Sequence, residues 1–310
     1  MEFSLTTLGT SSASPNPLRH TSCHVVTARE HHFLIDCGEG CQMQLQRASI
    51  PFSWIDNIFI SHLHGDHLFG IFGLLSTMSM QGRTAPLYIY APEGFAAILD
   101  FFMKQFADGV LFEIVFTPLG MKGKEVILDL RTVEVSAFPL NHRVPTFGFL
   151  FREKEPQRNV HKWRVEADDL TLAEIGALKN VQDVMRENGD VLEVGKYTYI
   201  PWQPRSLAYC CDTAPFDGLA GWIEGVDLLY HDATYADDKA EMAVKYYHST
   251  GRMAAETALA ARAGRLVLGH FSARYRNLDQ LLEEARSVFP DTAVANDGQK
   301  YEIPLVKLSR

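Results

Sequence analysis

Three histidines and one aspartate lie within six positions of the segment HLHGDH, which begins at His62. His62 and His64 are two residues apart, so in an extended chain their side chains point to the same side. Gly65 lets the backbone turn, after which Asp66 and His67 face a second position. Imidazole and carboxylate groups without a thiolate suit zinc, with manganese or iron as alternatives. A single loop of this composition can therefore supply ligands to two adjacent cations.

Three further donors each follow an apolar segment elsewhere in the chain: His142 after VSAFPLN, Asp212 after SLAYCC and His270 after RLVLG. The carboxyl ends of strands form the ligand-binding crevice of α/β proteins, so distant strands can deliver these groups to one edge. Seven such donors are too many for one tetrahedral cation and fit two cations that share a bridge. Taken alone, His142 or His270 is equally well interpreted as a structural histidine.

The elements that must position these donors are short apolar runs alternating with amphipathic segments, a pattern typical of an α/β fold. Strands are predicted at FSLTTLG, HFLID, NIFIS, PLYIYA, FEIVF, RTVEVSAFPL, FGFLF, SLAYCCD, DLLYHD and RLVLGH. Helices are predicted over residues 69–80, 94–106, 251–263 and 277–288. The order of elements favours two sheets packed face to face with helices outside, in a single domain of residues 1–310.

Composition narrows the class of protein. A chain of 310 residues with 46% hydrophobic content can bury a large core. The five cysteines are an odd number without framework spacing, which favours a reducing compartment, and Cys210 and Cys211 are interpreted as core residues. A net charge of −9 argues against nucleic-acid binding by the whole surface. Because no signal sequence or long apolar run is found, a cytoplasmic protein without a membrane partner is expected.

Residues 152–206 depart from the pattern of the rest of the chain, because they are more highly charged and their first part is basic. We interpret this segment as an insertion that projects from the core. The alternative is a solvated charged loop without a binding role. The negative net charge of the whole chain does not exclude a local basic patch here.

The segment HLHGDH is the HxHxDH signature of the metallo-β-lactamase superfamily. The surrounding sequence resembles the tRNase Z (ribonuclease Z) family, in its short bacterial form. The segments that carry the resemblance are LGTSSASP, LIDCGEGCQMQL, IFISHLHGDHLFG, YCCDT, LLYHDATY, YHSTGRMAAETA, GHFSARY and AND. The resemblance covers nearly the whole chain. It implies the metallo-β-lactamase fold, a four-layer αββα sandwich with an inserted arm. It also implies a metal-dependent endoribonuclease that removes the 3′ trailer from precursor tRNA, leaving a 3′ hydroxyl on the tRNA and a 5′ phosphate on the trailer.

The resemblance also implies roles for individual residues. Two zinc ions per subunit would be held by His62, His64 and His142 on one side, by Asp66, His67 and His270 on the other, and by Asp212 between them. Asp66 would accept the proton of the attacking water, and His248 would protonate the departing oxygen. Without the resemblance, His248 is more readily interpreted as a structural residue before a helix. Candidates for contacts with the nucleotides near the cut are Arg274, Tyr275 and Arg252.

Members of this family act as homodimers in which the arm of one subunit serves the active site of the other, so the same is expected here. The arm candidates for tRNA binding are Arg158, Lys162 and Arg164. Two features depart from the family: the segment 152–206 contains no Gly-Pro pair, and Asp232 stands where glutamate is more common. The alternatives are a phosphodiesterase for small substrates, and an RNA-binding module with purely structural metals.

Overall fold

The computed structural model describes residues 1–106 and 110–308, whose strands and helices follow each other in an order that builds two sheets. The strands are β1 (Phe3–Gly9), β2 (Cys23–Ala28), β3 (His31–Cys37), β4 (Ile55–Phe59), β5 (Leu87–Pro92), β6 (Ile114–Leu119), β7 (Glu125–Asp129), β8 (Val133–Pro139), β9 (Phe147–Glu153), β10 (Asn159–Val160), β11 (Val184–Met185), β12 (Val191–Leu192), β13 (Thr198–Tyr199), β14 (Ser206–Cys210), β15 (Leu228–Asp232), β16 (Arg265–Gly269), β17 (Thr292–Val294) and β18 (Gln299–Glu302). The helices are α1 (Cys41–Arg47), α2 (Gly65–Leu68), α3 (Ile71–Met80), α4 (Phe95–Phe106), α5 (Lys162–Ala167), α6 (Leu172–Lys179), α7 (Val194–Tyr197), α8 (Leu219–Trp222), α9 (Ala240–Lys245), α10 (Gly251–Ala260) and α11 (Asp279–Arg286).

Two seven-stranded sheets form the body of the molecule. The first has the order β18-β1-β2-β3-β4-β5-β6 and the second the order β17-β16-β15-β14-β9-β8-β7. Strands β3 to β6 run parallel to one another, as do β14 to β17. Each sheet therefore has a parallel half, and the ligand-bearing loops come from the carboxyl ends of strands in both sheets.

The alternation of side chains along the strands separates two cores. Phe33 and Phe59 face the second sheet, where their ring centroids lie 5.3 Å from those of Phe151 and Phe149. Leu34 lies next to Phe33 along the strand and faces the opposite side, where it packs into the core under α1 and α3. Helices α10 and α11 cover the outer face of the second sheet over β15 to β17. The result is helix, sheet, sheet and helix, which confirms the predicted four-layer arrangement.

The segment between β9 and β14 folds around a small apolar cluster of its own. Its buried members are Leu170, Leu178, Leu192 and Tyr197. Helix α6 begins with a capping box in which Thr171 and Glu174 exchange hydrogen bonds. The two ends of the segment meet at a buried ion pair, because Nε of Arg205 lies 2.9 Å from a carboxylate oxygen of Glu153. Its interpretation as a projecting arm for RNA remains a prediction.

Several boundaries differ from those expected. The predicted helix over 69–80 is preceded by a separate turn, α2, and α3 begins only at Ile71. Four strands of the two large sheets, β2, β7, β17 and β18, are not among those predicted. All six residues of β2 are buried although His24 and Thr27 are polar, so neither face gives the alternation that indicates a strand.

Cys210 and Cys211 are fully buried, as expected. Among the described residues no helix has the length and apolarity needed to cross a membrane.

Candidate metal centre and active site

The loop after strand β4 carries four of the predicted ligands. His62 and His64 follow the strand, and the backbone of His64 is still extended. Gly65 then begins helix α2, which contains Asp66 and His67. A Cβ atom on Gly38 would lie only 2.4 Å from the backbone carbonyl oxygen of Asp66. The glycine after β3 therefore lets the ligand loop approach the first sheet closely.

The side chains of the predicted ligands meet in overlapping groups whose donor atoms all lie within 4.8 Å of one another. These groups are His62, His64, His142 and Asp212, then Asp66, His67 and His270, and finally Asp212, Asp232, His248 and His270. All seven residues predicted to bind metal are thus brought together. The strands that deliver them belong to both sheets.

Asp212 lies between two sets of histidines, and each of its carboxylate oxygens faces one set. Oδ1 lies 3.1 Å from Nε2 of His270 and 3.3 Å from Nε2 of His67. Oδ2 lies 3.5 Å from Nε2 of His62 and 3.7 Å from Nε2 of His142. A carboxylate that offers one oxygen to each side is suited to bridge two cations.

The donor set fits cations, because nitrogen atoms of several histidines converge and one of them is buried without a partner. Nε2 of His62 and Nδ1 of His64 are 2.8 Å apart, and the Nε2 atoms of His67 and His270 are 3.4 Å apart. Nε2 of His142 is buried and has no hydrogen-bond partner within the described residues. Buried polar atoms are normally paired. Cations between these nitrogens would satisfy them.

Burial keeps one side of the site in the form that binds metal. It lowers the pKa of His62 well below the usual value and also lowers the pKa of His142, against the opposing charge of Asp212. Neutral imidazole is the ligating form. Burial also disfavours charge on His67, but the carboxylates of Asp212 and Asp36 outweigh it and raise the pKa of His67 well above its usual value. A cation on that side therefore competes with a proton.

Asp36 supports the ligand loop from beneath and was not assigned a role from the sequence. It accepts hydrogen bonds from Nδ1 of His67 at 2.8 Å, from the Ser61 hydroxyl at 2.9 Å and from the Tyr209 hydroxyl at 2.8 Å. The bond to Nδ1 directs Nε2 of His67 toward the site. The one sign of this role in the sequence is that Asp36 directly follows the apolar run FLI.

Backbone groups orient two further ligands. These hydrogen bonds cannot be predicted from the residue types. The carbonyl oxygen of Tyr247 accepts a hydrogen bond from Nδ1 of His142 at 3.1 Å. The amide of Ala13 donates to Oδ2 of Asp66 at 2.8 Å. The bond to His142 leaves its Nε2 facing the site. The bond from Ala13 holds the same oxygen of Asp66 that faces the site, since Oδ2 lies 3.5 Å from Nε2 of His67 and 3.6 Å from Nε2 of His270.

His248 lies at the edge of the site and is tied to Asp232. Its Nδ1 is 2.7 Å from Oδ2 of Asp232, a fully buried carboxylate that also accepts hydrogen bonds from the amides of Thr213 and Thr234. Burial disfavours the charged imidazole, but the charge and hydrogen bond of Asp232 raise the pKa of His248 to about 9. Since Nδ1 is engaged, Nε2 is the atom free to donate a proton.

The predicted substrate contacts near the cut have different surroundings. The guanidinium of Arg274 lies 5.1 Å above the ring of Tyr235, which lines the active-site cavity. The Tyr275 hydroxyl accepts a hydrogen bond from the amide of Ala236. Arg252 pairs with an acid on the neighbouring turn, Asp237, at 2.6 Å. Of the three, Arg274 therefore has the surroundings most suited to a substrate contact, and all three roles stay predictions.

The predicted contacts in the segment 152–206 lie among that segment's own residues. Nε of Arg158 donates to the Thr198 hydroxyl at 2.7 Å. Lys162 lines a cavity of about 860 Å³ within the segment. The guanidinium of Arg164 lies 4.3 Å from the ring centroid of Trp163.

The chain is similar to several known proteins. A family model described as Anti-Pycsar protein Apyc1 matches residues 3–152. The chain is 38% identical over 306 residues to Ribonuclease Z of Phocaeicola vulgatus, with 99% of each chain covered. It resembles the crystal structure of human tRNase Z, short form, with a TM-score of 0.71 and 29% identity over 97% of this chain and 99% of that one.

A second solved structure bears on the fold alone. The metallo-β-lactamase fold protein YhfI from Bacillus subtilis matches with a TM-score of 0.69 and 18% identity, over 97% of this chain and 100% of that one. The predicted metallo-β-lactamase fold is thereby confirmed. Since the ribonuclease Z relative matches over nearly its full length, the chain belongs to the ribonuclease Z family.

Proposed function

We propose that this protein is a metal-dependent endoribonuclease that removes the 3′ trailer from tRNA precursors. The cut would leave a 3′ hydroxyl on the tRNA and a 5′ phosphate on the trailer. The observation that carries the proposal is Asp212, which presents one carboxylate oxygen to each of two histidine sets in a chain of the ribonuclease Z family. The reaction class follows from that site and the substrate from the family.

Two zinc ions per subunit are the proposed cofactors, with manganese or iron as alternatives. One would be held by His62, His64, His142 and Asp212, and the other by Asp66, His67, His270 and Asp212. When bound, they would supply an activated water and offset the negative charge of the phosphodiester.

The chain's own side chains would move the protons. Asp66 is proposed to take a proton from the attacking water, since a carboxylate among the metal ligands would be ionised and would lie beside that water. His248 is proposed to give a proton from Nε2 to the oxygen that leaves with the tRNA. Asp232 holds His248 in the tautomer and charge state that this step requires.

The alternative of a small-substrate phosphodiesterase is less well supported. It shares the metal centre, so the centre itself does not distinguish the two. The relative at 38% identity is named ribonuclease Z, and the solved structure at 29% identity is a tRNase Z. A small substrate also gives no reason for the separate cluster of residues between β9 and β14.

The first experiment is to incubate zinc-loaded protein with a 3′-extended precursor tRNA. We expect a single cut after the discriminator nucleotide, with a 3′ hydroxyl on the tRNA, and we expect a chelator to abolish it. Mapping of both ends and metal analysis by mass spectrometry provide the measurement. An intact precursor, together with turnover of bis-p-nitrophenyl phosphate, would keep the metal centre and reject the tRNA substrate.

The segment 152–206 is proposed to bind the tRNA away from the cut. Its cavity is lined by aromatic and basic side chains, including Trp163, Tyr199, Lys162 and Lys179. The side chain of Trp163 is 57% exposed, which leaves its ring available to a base or sugar. Aromatic stacking combined with cations is how proteins hold RNA without reading its sequence. The missing Gly-Pro pair does not remove this surface.

We also propose that the protein is a homodimer in which the arm of one subunit serves the active site of the other. An apolar groove between α3 and α4, lined by Phe72, Ile98 and Phe101, supports a subunit contact. Phe101 is 60% exposed although it is aromatic. Aromatic side chains in such a position are typical of protein interfaces.

Replacing Trp163 by alanine is expected to lower kcat/KM for precursor tRNA by about tenfold to a hundredfold, chiefly through KM, because one stacking contact is lost. Trp54→Ala is the matched control, since Trp54 is 53% exposed and lies after α1, outside the segment. Steady-state kinetics on precursor tRNA provide the measurement. Equal effects of the two replacements would contradict the proposal that the segment 152–206 binds tRNA.

Arm exchange is tested by mixing the Trp163→Ala protein with a site-deficient Asp212→Asn protein. In an exchanged dimer, the intact site of the first subunit meets the intact arm of the second, so activity should reappear. Light scattering establishes whether dimers are present. Dimers that regain no activity after subunit exchange would argue that each arm serves its own site.

A further inference from the structure

The end of helix α9 forms one wall of the active-site cavity. The residues of this wall have no role in the proposed chemistry. Lys245, Tyr246 and Tyr247 line this cavity of about 400 Å³, together with Arg143 from the loop after β8. The candidate acid His248 is the next residue in the chain. None of the four lining residues was singled out in the sequence. Their combination of aromatic rings and cations beside a phosphodiester site suggests that they bind part of the substrate.

The two tyrosines present ring surface to solvent. Tyr246 is 49% exposed and Tyr247 is 40% exposed. Among the described residues neither hydroxyl has a hydrogen-bond partner that would fix it to the protein. The ring of Tyr247 meets the ring of His142 edge to face, with centroids 6.4 Å apart. Rings held at the mouth of a site in this way can stack on an unpaired base.

The cations that line this cavity differ from their neighbours in lacking acidic partners. Lys239 and Arg252, on either side of this segment, pair with Asp238 and Asp237. Within the part of the chain that the structure describes, Lys245 and Arg143 form no ion pair. The ammonium of Lys245 lies 5.8 Å from the centroid of the Tyr246 ring. A cation beside an exposed ring matches the phosphate and base of one nucleotide.

We propose that Tyr246, Tyr247, Lys245 and Arg143 form a binding site for the unpaired nucleotide on the 5′ side of the scissile phosphate. This inference rests on the proposed function and assigns the nucleotide that the tRNA keeps after the cut. The side is chosen because His248, which adjoins this wall, would protonate the 3′ oxygen of that nucleotide. The tyrosines stack on its base, and the cations contact its flanking phosphates.

The backbone at Tyr247 makes a clean test feasible. Tyr247 follows helix α9 in the left-handed region with φ of 61°, and its amide bonds to the carbonyl of Val244 while that of His248 bonds to Ala243. Glycine is favoured at this position of a helix end. The bond from His142 goes to the carbonyl oxygen of Tyr247, which glycine retains. Tyr247→Gly therefore removes the ring and keeps the backbone.

The end of helix α10 offers a matched control. Arg262 has φ of 52°, and its amide bonds to the carbonyl of Leu259 while that of Ala263 bonds to Ala258, the same pattern as at Tyr247. The side chain of Arg262 is exposed and pairs with Glu224, outside the active-site cavity. Arg262→Gly thus makes the same kind of backbone change without touching the site.

The probe is a dinucleoside phosphate with 2-aminopurine on its 5′ side and uridine on its 3′ side, mixed with zinc-loaded protein. Stacking quenches the fluorescence of 2-aminopurine, which is read before turnover. We expect Tyr247→Gly to weaken binding by about fivefold to a hundredfold. Tyr247→Phe and Arg262→Gly should bind like the wild type. Melting temperatures of both glycine variants should not fall below that of the wild type.

The outcomes separate this inference from the proposed function. Unchanged binding by Tyr247→Gly, or a greater loss with the label on the 3′ side, would overturn the inference even if precursor tRNA is cut normally. Conversely, if the wild type leaves precursor tRNA intact but binds the dinucleotide through Tyr247, the nucleotide site stands and the tRNA substrate is rejected.

Discussion

Replacement of Asp212 by asparagine is expected to remove bound metal and to lower cleavage of precursor tRNA by about a thousandfold, which corresponds to about 4 kcal/mol of lost transition-state stabilisation. Asp212 is the group that faces both histidine sets. Asparagine has nearly the same shape, and it tolerates the left-handed backbone of this position, where φ is 60°. The replacement therefore removes the charge of the bridge and leaves the loop intact.

Metal analysis and thermal unfolding distinguish this loss from misfolding. Zinc should raise the melting temperature of the wild type, because it binds only the folded state, and should have little effect on Asp212→Asn. Asp217→Asn is the matched control, since Asp217 is an exposed acid five residues further along. Full zinc content and normal cleavage in Asp212→Asn would show that this carboxylate does not bridge the metals.

The metal site was predictable because side-chain type and position agree there. Each predicted ligand follows an apolar run, and strands of one fold bring their carboxyl ends together. His142 and His270 carried no signal by themselves and became ligand candidates only through the other donors. The structure groups both with Asp212, as that argument required.

The parts that could not be predicted depend on the backbone or on tertiary contacts. The carbonyl of Tyr247 holds His142 only because the chain after α9 turns through a left-handed residue. Asp36 in β3 supports His67 in α2, a contact between elements distant in sequence that no periodicity indicates. The position of Lys245 in the active-site cavity likewise depends on tertiary structure, because the fold places the end of α9 beside the ligands.

Removal of His248 is expected to lower kcat for precursor tRNA by about a hundredfold to ten-thousandfold, the usual contribution of a general acid. The alkoxide that leaves the tRNA is strongly basic, so its departure needs a proton. The p-nitrophenolate of bis-p-nitrophenyl phosphate is a weak base and needs none. His248→Ala should therefore slow the RNA reaction far more than the reaction of the aryl ester.

His31→Ala is the control for loss of an imidazole elsewhere, since His31 begins β3, which lies in the first sheet, and its contacts are with Glu30 and Phe33. Kinetics on both substrates with the same zinc-loaded preparations give the comparison. If the two substrates lose rate equally in His248→Ala, the residue supports the fold or the metals and is not the acid.

The pH profile tests the partner of this acid. Burial disfavours a charged His248, and Asp232 outweighs burial to raise its pKa to about 9, so the ring holds its proton at neutral pH and loses it as the pH rises through that value. Asp232→Asn removes the opposing charge, so the pKa of His248 should fall and the descending limb of kcat should move to lower pH. Bound cations also disfavour the charged ring of His248, and they do so in every variant. The prediction is therefore the direction in which the pKa of His248 moves between the wild type and Asp232→Asn. Asp232→Glu keeps the charge and should retain the limb of the wild type, which would separate the role of the charge from that of the shorter side chain.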